Sequence, residues 1–347
     1  MAASVIGLDI GTTKVRAVEV TRGRGGPTVT HYAEAPVPLG AMRDGEVVEP
    51  EGVVTALKQA WSQGKFSHRD VIMAVGNQRV LVRNLELPWM PMPQIRSSLP
   101  FQVQDSLPVD VHDALLDFYP TSEAVGPNGR TVSGLLVAAT RDTVAANLGA
   151  AESAGLRPLM VDLTGFALLR GLSVRPTEAR TVAYVDFGAR TTTVVIAEHG
   201  IPQLVRSLPV GGQNLTDAVA MTLSIPAGEA ENLKRQIGVG FAVAPEMQAA
   251  AQVINQVTQS LVESVRNTFV YYASNHPGRA TEYVLISGGG AYLSGLGQYL
   301  SSASRLPVTI GDAIGSVQVA RTADLSVLAG AETTFAVPLG LALGVAE

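Results

Sequence analysis

The sequence predicts an α/β fold made of two duplicated halves, the first interrupted by a smaller α+β unit. Three observations carry this. A β-hairpin with Asp at the end of its first strand and Gly in its turn opens the chain, VIGLDIGTTKVRAVEV over 5–20. The same unit recurs about half a chain length later, VAYVDFGARTTTVVI over 182–196, with Asp186 and Gly188 matching Asp9 and Gly11. Between 36 and 140 the pattern changes: Pro36, Pro38 and Gly40 break it, and short strands and helices follow before the first half resumes.

Each element has a local reason. Apolar runs 5–10 and 15–20 around a Gly-containing turn read as paired strands. Residues 28–35 alternate as a third. Pro50 and Glu51 open a helix that Gly64 ends, with Val53, Val54, Leu57 and Trp61 as its apolar stripe. Strands are expected at 71–75 and 80–87 around the turn Gly76-Asn77-Gln78. A Pro-rich loop at 88–93 leads to a helical segment, 94–107, in which Pro100 predicts a kink or split. Residues 115–119 and 131–139 read as strands joined through Asn128-Gly129. Asp142 is placed to N-cap a helix reaching about Ala154. A strand at 158–161 and a helix at 164–172 close the first half. The second half continues with a strand at 201–210 and helices at 215–223, 226–235 and 246–273. The last of these has Ala250, Ile254, Val257, Leu261, Val265, Phe269 and Tyr272 at three- and four-residue steps. A strand at 283–286, the run Ser287-Gly288-Gly289-Gly290-Ala291, a helix at 296–300, a strand at 308–310 and an apolar helix at 339–345 end the chain.

The chemistry lies in the repeated turns. Gly11, Thr12, Thr13 and Lys14 offer backbone N–H groups, two hydroxyls and an ammonium in four residues, a set that suits phosphate. Asp9 is placed to hold a hydrated Mg²⁺, which needs only one or two carboxylates. One copy alone reads equally as an ordinary hairpin whose Asp caps its turn. The second copy, with Asp186, Gly188, Thr191 and Thr192, favours a polyphosphate clamped between two lobes. Gly211 and Gly212 before a helix allow close anion approach, or form a plain loop. Gly288, Gly289 and Gly290 let the backbone lie flat against a planar or charged ligand. Glu231 and Lys234 read by default as a solvated helix face. Trp89, Met90 and Met92 read as a docking surface or as packing under a loop.

Composition sets limits. The chain has 347 residues, room for about two domains, and is 46% hydrophobic with mean hydropathy +0.23. A net charge of −5 with 16% charged residues gives no basic footprint for nucleic acid. With no Cys there is no disulfide framework or thiolate metal site. The N-terminus has Asp inside its apolar stretch, unlike a signal peptide. No apolar run reaches the ~18 residues of a membrane helix. A cytoplasmic protein without direct membrane insertion is expected.

Together the motifs resemble the actin-like ATPase superfamily, which includes actin, sugar kinases and heat-shock chaperones. Residues 9–14 are similar to its first phosphate motif, 186–192 to its second and 285–291 to its adenosine motif, while 163–172 and 339–345 sit where its connecting helices fall. Within the superfamily the chain is most similar to the PilM family of type IV pilus assembly proteins. Val161-Asp162 with 166–170, Pro209-Val210-Gly211-Gly212-Gln213-Asn214-Leu215-Thr216 and Ala230-Glu231-Asn232-Leu233-Lys234 carry this. The insert resembles the subdomain that family shares with the division protein FtsA, but its usual acidic helix is here Pro100-Phe101-Gln102-Val103-Gln104-Asp105.

The resemblance implies duplicated actin-like (ribonuclease H-like) domains: 1–35 plus 141–177 as first lobe, 36–140 as insert, 178–217 plus 280–347 as second lobe and 218–279 as its helical subdomain. It implies ATP and Mg²⁺ as cofactors, and Glu231 and Lys234 beside the adenosine, against the solvated-face reading. It implies a scaffold that grips the N-terminal cytoplasmic peptide of a PilN-like inner-membrane protein, works at the inner face of the membrane through that partner, and is open to self-association. The alternatives are a small-molecule kinase and an FtsA-like division protein. A kinase would need a general base. Asp162 is a candidate, though it reads as readily as a strand end. With only Asp162 and Thr164 as catalytic candidates, at most a slow ATPase is expected.

Overall fold

The computed structural model describes residues 4–43, 45–127, 129–172 and 180–344. The first sheet starts as a meander of β1 (Ser4–Ile10), β2 (Lys14–Gly23) and β3 (Gly26–Pro36). A short ladder of β4 (Met42–Arg43) and β5 (Glu46–Val47) leads to α1 (Pro50–Gly64), and β6 (Asp70–Val75) returns parallel to β1. A separate sheet follows: β7 (Val80–Pro88), α2 (Met92–Val103), β8 (Ala114–Gly126) and β9 (Gly129–Thr140), in the order β7-β9-β8. Helix α3 (Arg141–Ser153) and β10 (Arg157–Leu163), parallel to β6, complete the first lobe, and α4 (Thr164–Leu172) leaves it.

The second sheet repeats the plan with β11 (Thr181–Phe187), β12 (Thr192–Glu198) and β13 (Ile201–Leu208). Helices α5 (Gly212–Leu223), α6 (Ala227–Ile237) and α7 (Gln248–Asn275) come next, then β14 (Tyr283–Ser287), α8 (Leu296–Ser304) and β15 (Val308–Ile310). Strand β16 (Gln318–Val319) and α9 (Ala336–Leu343) close the described chain. The strand orders β3-β2-β1-β6-β10 and β13-β12-β11-β14-β15 are the same, so the duplication seen in two hairpins extends over five strands of each lobe.

The structure draws the pieces differently from the expected boundaries. The segment 36–140 does not stand apart as a whole. Strand β6 lies between β1 and β10, and Val53, Leu57, Val71 and Met73 share a core with Ile6, Leu8, Val15 and Ala151. The three-stranded sheet forms its own hydrogen-bonded unit, with α2 covering a core built on Phe118, Leu99 and Ile95, while Val80, Leu135 and Ala139 on the sheet join the central core with Val75 and Val205. A buried parallel strand is apolar on both faces, so its sequence does not say which sheet takes it. Likewise 280–347 is not all second lobe. Strand β16 pairs with β3, and α9 lies on β1 and β2. The connecting helices exchange lobes: α4 lies against β12 and β13, with Gly165 facing Val195 and Val205. They cross where Gly171 meets the Ala336 carbonyl and Gly340 that of Ala167, contacts in which an added Cβ would sit 2.0 and 1.8 Å from the oxygen.

Smaller differences have local causes. Helix α2 runs through Pro100 unbroken and ends at Val103 instead of 107; Ile95, Leu99 and Val103 hold it on the sheet. Thr140, not Asp142, precedes α3, and Asp142 lies in its first turn. Asn128 of the expected hairpin signal lies outside the described residues, as do 173–179 and 345–347 of the expected lobes.

Candidate functional site

The two hairpins put equivalent groups on either side of a cleft of about 640 Å³ between the lobes. In each, the turn closes through one backbone bond: the Gly11 N–H donates to the Lys14 carbonyl at 3.0 Å, and the Gly188 N–H to that of Thr191 at 3.0 Å. Asp9 and Asp186 end their strands just before these turns. Burial pushes the Asp9 carboxyl up, and Arg16, 3.8 Å away, only partly draws it back. Burial and the charge of Asp9 push Asp186 up to about 6, against a Ser287 hydrogen bond and Arg16. Two acids in each other's field with little water are relieved by a cation between them.

Lys14 does not project freely from its turn. Its ammonium is tied to Glu34 on β3, which also accepts from Tyr32 at 3.0 Å and lies 3.4 Å from Arg16 Nε. Burial would raise Glu34, but hydrogen bonding to Lys14, the Arg16 charge and the Tyr32 hydroxyl hold it below the usual carboxylate range.

The far wall comes from α5 and α6. Lys234, 7% exposed, reaches the Gly212 carbonyl at 3.1 Å, Thr216 Oγ1 at 3.0 Å and Glu231 Oε2 at 2.6 Å. Burial depresses the Lys234 ammonium. Burial would raise Glu231, but Lys234, Thr216 and Arg235 hold it down. The solvated-face reading of this pair is thereby corrected.

The structure brings most expected residues to the cleft: Asp9, Gly11, Thr12, Thr13, Lys14, Asp186, Gly188, Thr191, Gly212, Glu231, Lys234, Gly288, Gly289, Gly290 and Thr164 all line it. Gly288 has φ +81°, and a Cβ there would lie 2.7 Å from Asp186 Oδ1, so the glycine run packs directly on the second hairpin. Three expected residues are placed elsewhere. Thr192 is fully buried and donates to the Val210 carbonyl at 2.7 Å; strand alternation gives the cleft Thr193 instead. Gly211 is pressed on the turn, where a Cβ would lie 2.4 Å from the Gly188 carbonyl. Asp162 does not line the cleft; Arg170 holds its carboxylate, which also accepts the Leu163 N–H at 2.7 Å. Nor is the α5 N-terminus open to an anion. The Gly212 and Gln213 N–H groups donate to the Gly188 and Ala189 carbonyls at 2.9 and 2.7 Å and brace the second turn.

Sequence reasoning missed Arg16, Asn77, Arg190 and Thr193, all lining the cleft. Hairpin register holds the signal for two: Asp9 pairs with Arg16 and Asp186 with Thr193. Asn77 is buried in the turn after β6. It bonds Glu46 at 3.2 Å and accepts the Arg79 N–H at 2.9 Å.

A second cavity, of about 670 Å³, lies at the foot of the three-stranded sheet, lined by Arg79, Leu81, Val109 and Arg141 among others. Glu46 lies 3.4 Å from Arg79 as well as bonding Asn77, and so ties a residue lining the second cavity to one lining the cleft. Met90 and Met92 pack on the core under α2, while Trp89 is exposed with the Arg130 guanidinium 4.4 Å above its ring. Among the described residues no cluster of three His, Cys, Asp or Glu could hold a metal, and no helix is long and apolar enough to cross a membrane.

Comparison with known proteins places this geometry. The family model described as type IV pilus assembly protein PilM matches residues 7–345. Cell division protein FtsA of Bacillus subtilis (strain 168) is 23% identical over 264 residues, 68% of this chain and 58% of that protein, so less than two thirds of that relative is spanned. Among solved structures, the PilM-PilN type IV pilus biogenesis complex superposes with a TM-score of 0.85 at 26% identity, covering 99% of this chain and 98% of that one. MreB5 of Spiroplasma citri bound to ADP superposes with a TM-score of 0.55 at 14% identity, over 97% and 94% of the two chains, a likeness of fold alone.

Proposed function

The chain belongs to the type IV pilus assembly protein PilM family, and from that premise we propose that it is a nucleotide-binding scaffold of pilus assembly that docks a PilN-like partner. The observation that carries the nucleotide is the pair of mirrored hairpins facing one cleft, with Lys234 and Glu231 on its far wall. ATP and Mg²⁺ fit the donor set. The two turns and Arg16 suit phosphates, and the mutually repelled Asp9 and Asp186 suit a hydrated cation held through water. Bound Mg²⁺ would neutralise phosphate charge there.

Hydrolysis requires a group that positions water. Asp162 is committed to Arg170, which leaves Thr164 as the remaining candidate of that pair in the cleft. Nucleotide therefore acts mainly as a clamp between lobes, with turnover slow at most. The same observation disfavours a kinase. The similarity to a chain of the PilM-PilN complex supports a PilN-like partner, and the second cavity is a groove of the right kind for an extended peptide. A net charge of −5 favours a basic peptide, which would bring the protein to the inner face of the membrane.

Fluorescence anisotropy with a labelled N-terminal peptide of the cell's own PilN-like protein tests this. Val109, 38% exposed and lining the second cavity, is the probe. Val109→Arg is expected to abolish peptide binding and leave Mg-ATP affinity, read by calorimetry, unchanged. Wild-type protein that binds no peptide, or a variant that binds it fully, overturns the docking assignment.

A further inference from the structure

The duplication makes the two halves of the cleft comparable residue by residue, and one difference stands out. Under the first carboxylate, Arg16 sits opposite Asp9; in the second lobe the equivalent place, opposite Asp186, is Thr193. The second hairpin carries its turn cation one position earlier than the first: Arg190 stands where the first has Thr13, and Thr191 where the first has Lys14. Arg190 lines the cleft together with Thr12, Thr13 and Lys14.

Its guanidinium is held by Asp217 on α5, Nη1 to Oδ2 at 2.5 Å, and Asp217 is oriented in turn by Gln213 Nε2 at 3.0 Å. Both side chains of the ion pair are about a third exposed, 33% and 38%. Ion pairs open to water contribute little to stability, so this one exchanges partners cheaply. A guanidinium is always charged and matches phosphate oxygens bidentately, better than it matches a single carboxylate oxygen.

We infer that Arg190 is a terminal-phosphate sensor: Asp217 holds it when no triphosphate competes, and the outermost phosphate of a nucleoside triphosphate takes it over, so that the protein distinguishes triphosphate from diphosphate. The inference rests on the nucleotide reading of the cleft. It adds a specificity residue on the lobe opposite Arg16 and Lys14, which makes triphosphate a bridge between lobes. Asp217 is a positioning residue that competes with the phosphate.

Calorimetry with Mg-ATP and Mg-ADP on the full chain tests it. Arg190→Ala should weaken Mg-ATP about tenfold, equivalent to about 1.4 kcal/mol, while Mg-ADP changes less than about twofold. Arg190→Lys should restore part of the ATP preference, and Asp217→Asn, which frees the guanidinium, should strengthen Mg-ATP more than Mg-ADP. A structural tie between turn and helix would move both nucleotides by one factor, and that result in either the Arg190→Ala or the Asp217→Asn variant overturns the sensor. Asp217→Asn leaves the turn sequence intact, so it decides the matter should Arg190→Ala fail to fold. Wild-type protein that binds neither nucleotide overturns the reading beneath and the sensor with it; wild-type binding with an unmoved ATP-to-ADP ratio in the Arg190→Ala or the Asp217→Asn variant overturns the sensor alone.

Discussion

Lys14 donates its ammonium to the Glu34 carboxylate two strands from β1, although it stands in the turn whose sequence marks it as a phosphate ligand. Arg16, by contrast, lies between Glu34 and Asp9 and acts on the charge of both acids at the cleft floor. Arg16→Ala is therefore expected to weaken Mg-ATP binding at least tenfold, about 1.4 kcal/mol, and Lys14→Ala by a smaller factor. Arg16→Ala also leaves two carboxylates short of a counter-ion. It should lower unfolding free energy by about 2 kcal/mol, below the figure for fully buried pairs because these groups keep some solvent contact. Titration calorimetry and urea unfolding read the two effects, and a larger loss of affinity for Lys14→Ala would reverse the assignment.

Asp186 supplies a pH prediction. Its folded-state pKa stands raised, at about 6, above an ordinary value of 3.8. The folded chain then holds that proton more tightly than the unfolded chain. Stability falls as pH rises from about 4 to about 6 and is level above. Asp186→Asn removes this penalty without a cation present. Free of nucleotide and Mg²⁺, the variant should match wild type at pH 4 and exceed it by about 2 kcal/mol at pH 7 in urea unfolding, a figure from the shift at 1.36 kcal/mol per unit, reduced for partial exposure. Equal stabilities at pH 7 would show that the acids do not strain the empty cleft.

The edges of the three-stranded sheet give a deletion. Val80 and Ala139 are cross-strand partners at the root of the three-stranded sheet, so residues 81–138 can be replaced by a two-residue turn. The shortened chain should keep its first sheet and its Mg-ATP affinity and lose the PilN-type peptide. Removing 36–140 takes out β6, the neighbour of β1, and should yield no folded first lobe. Circular dichroism and anisotropy distinguish the two outcomes. Peptide binding by the folded 81–138 deletion would place the dock elsewhere.

The helix crossing gives a stability prediction. At Gly340 a methyl group would meet the Ala167 carbonyl oxygen at 1.8 Å, backbone against backbone. Gly340→Ala must part α4 from α9, at a cost of about 3 kcal/mol, the upper range for overpacking. A melting temperature within a degree of wild type would mean that the helices separate freely.

The sequence by itself determined the duplication, the hairpins and most of the cleft's lining. These are local signals: a carboxylate at a strand end, a turn closed by one glycine N–H, an apolar period. They are legible because each turn closes on its own backbone, Gly11 to Lys14 and Gly188 to Thr191. What each side chain faces is not local. Thr192 and Thr193 are adjacent hydroxyls, and only the pairing of β11 with β12 decides that Thr193 faces the cleft while Thr192 caps the Val210 carbonyl. Glu231 and Lys234 read as a wet helix face until α5 covers them. Asp162 reads as a free acid until Arg170, a helix turn or two on, occupies it. Ownership of elements is likewise tertiary. A strand buried on both faces and a helix apolar all round, as β6 and α9 are, fit either lobe by composition. Their place was decided by strand register at β1 and by the glycine contacts of the crossing, where backbone approaches backbone too closely for any side chain.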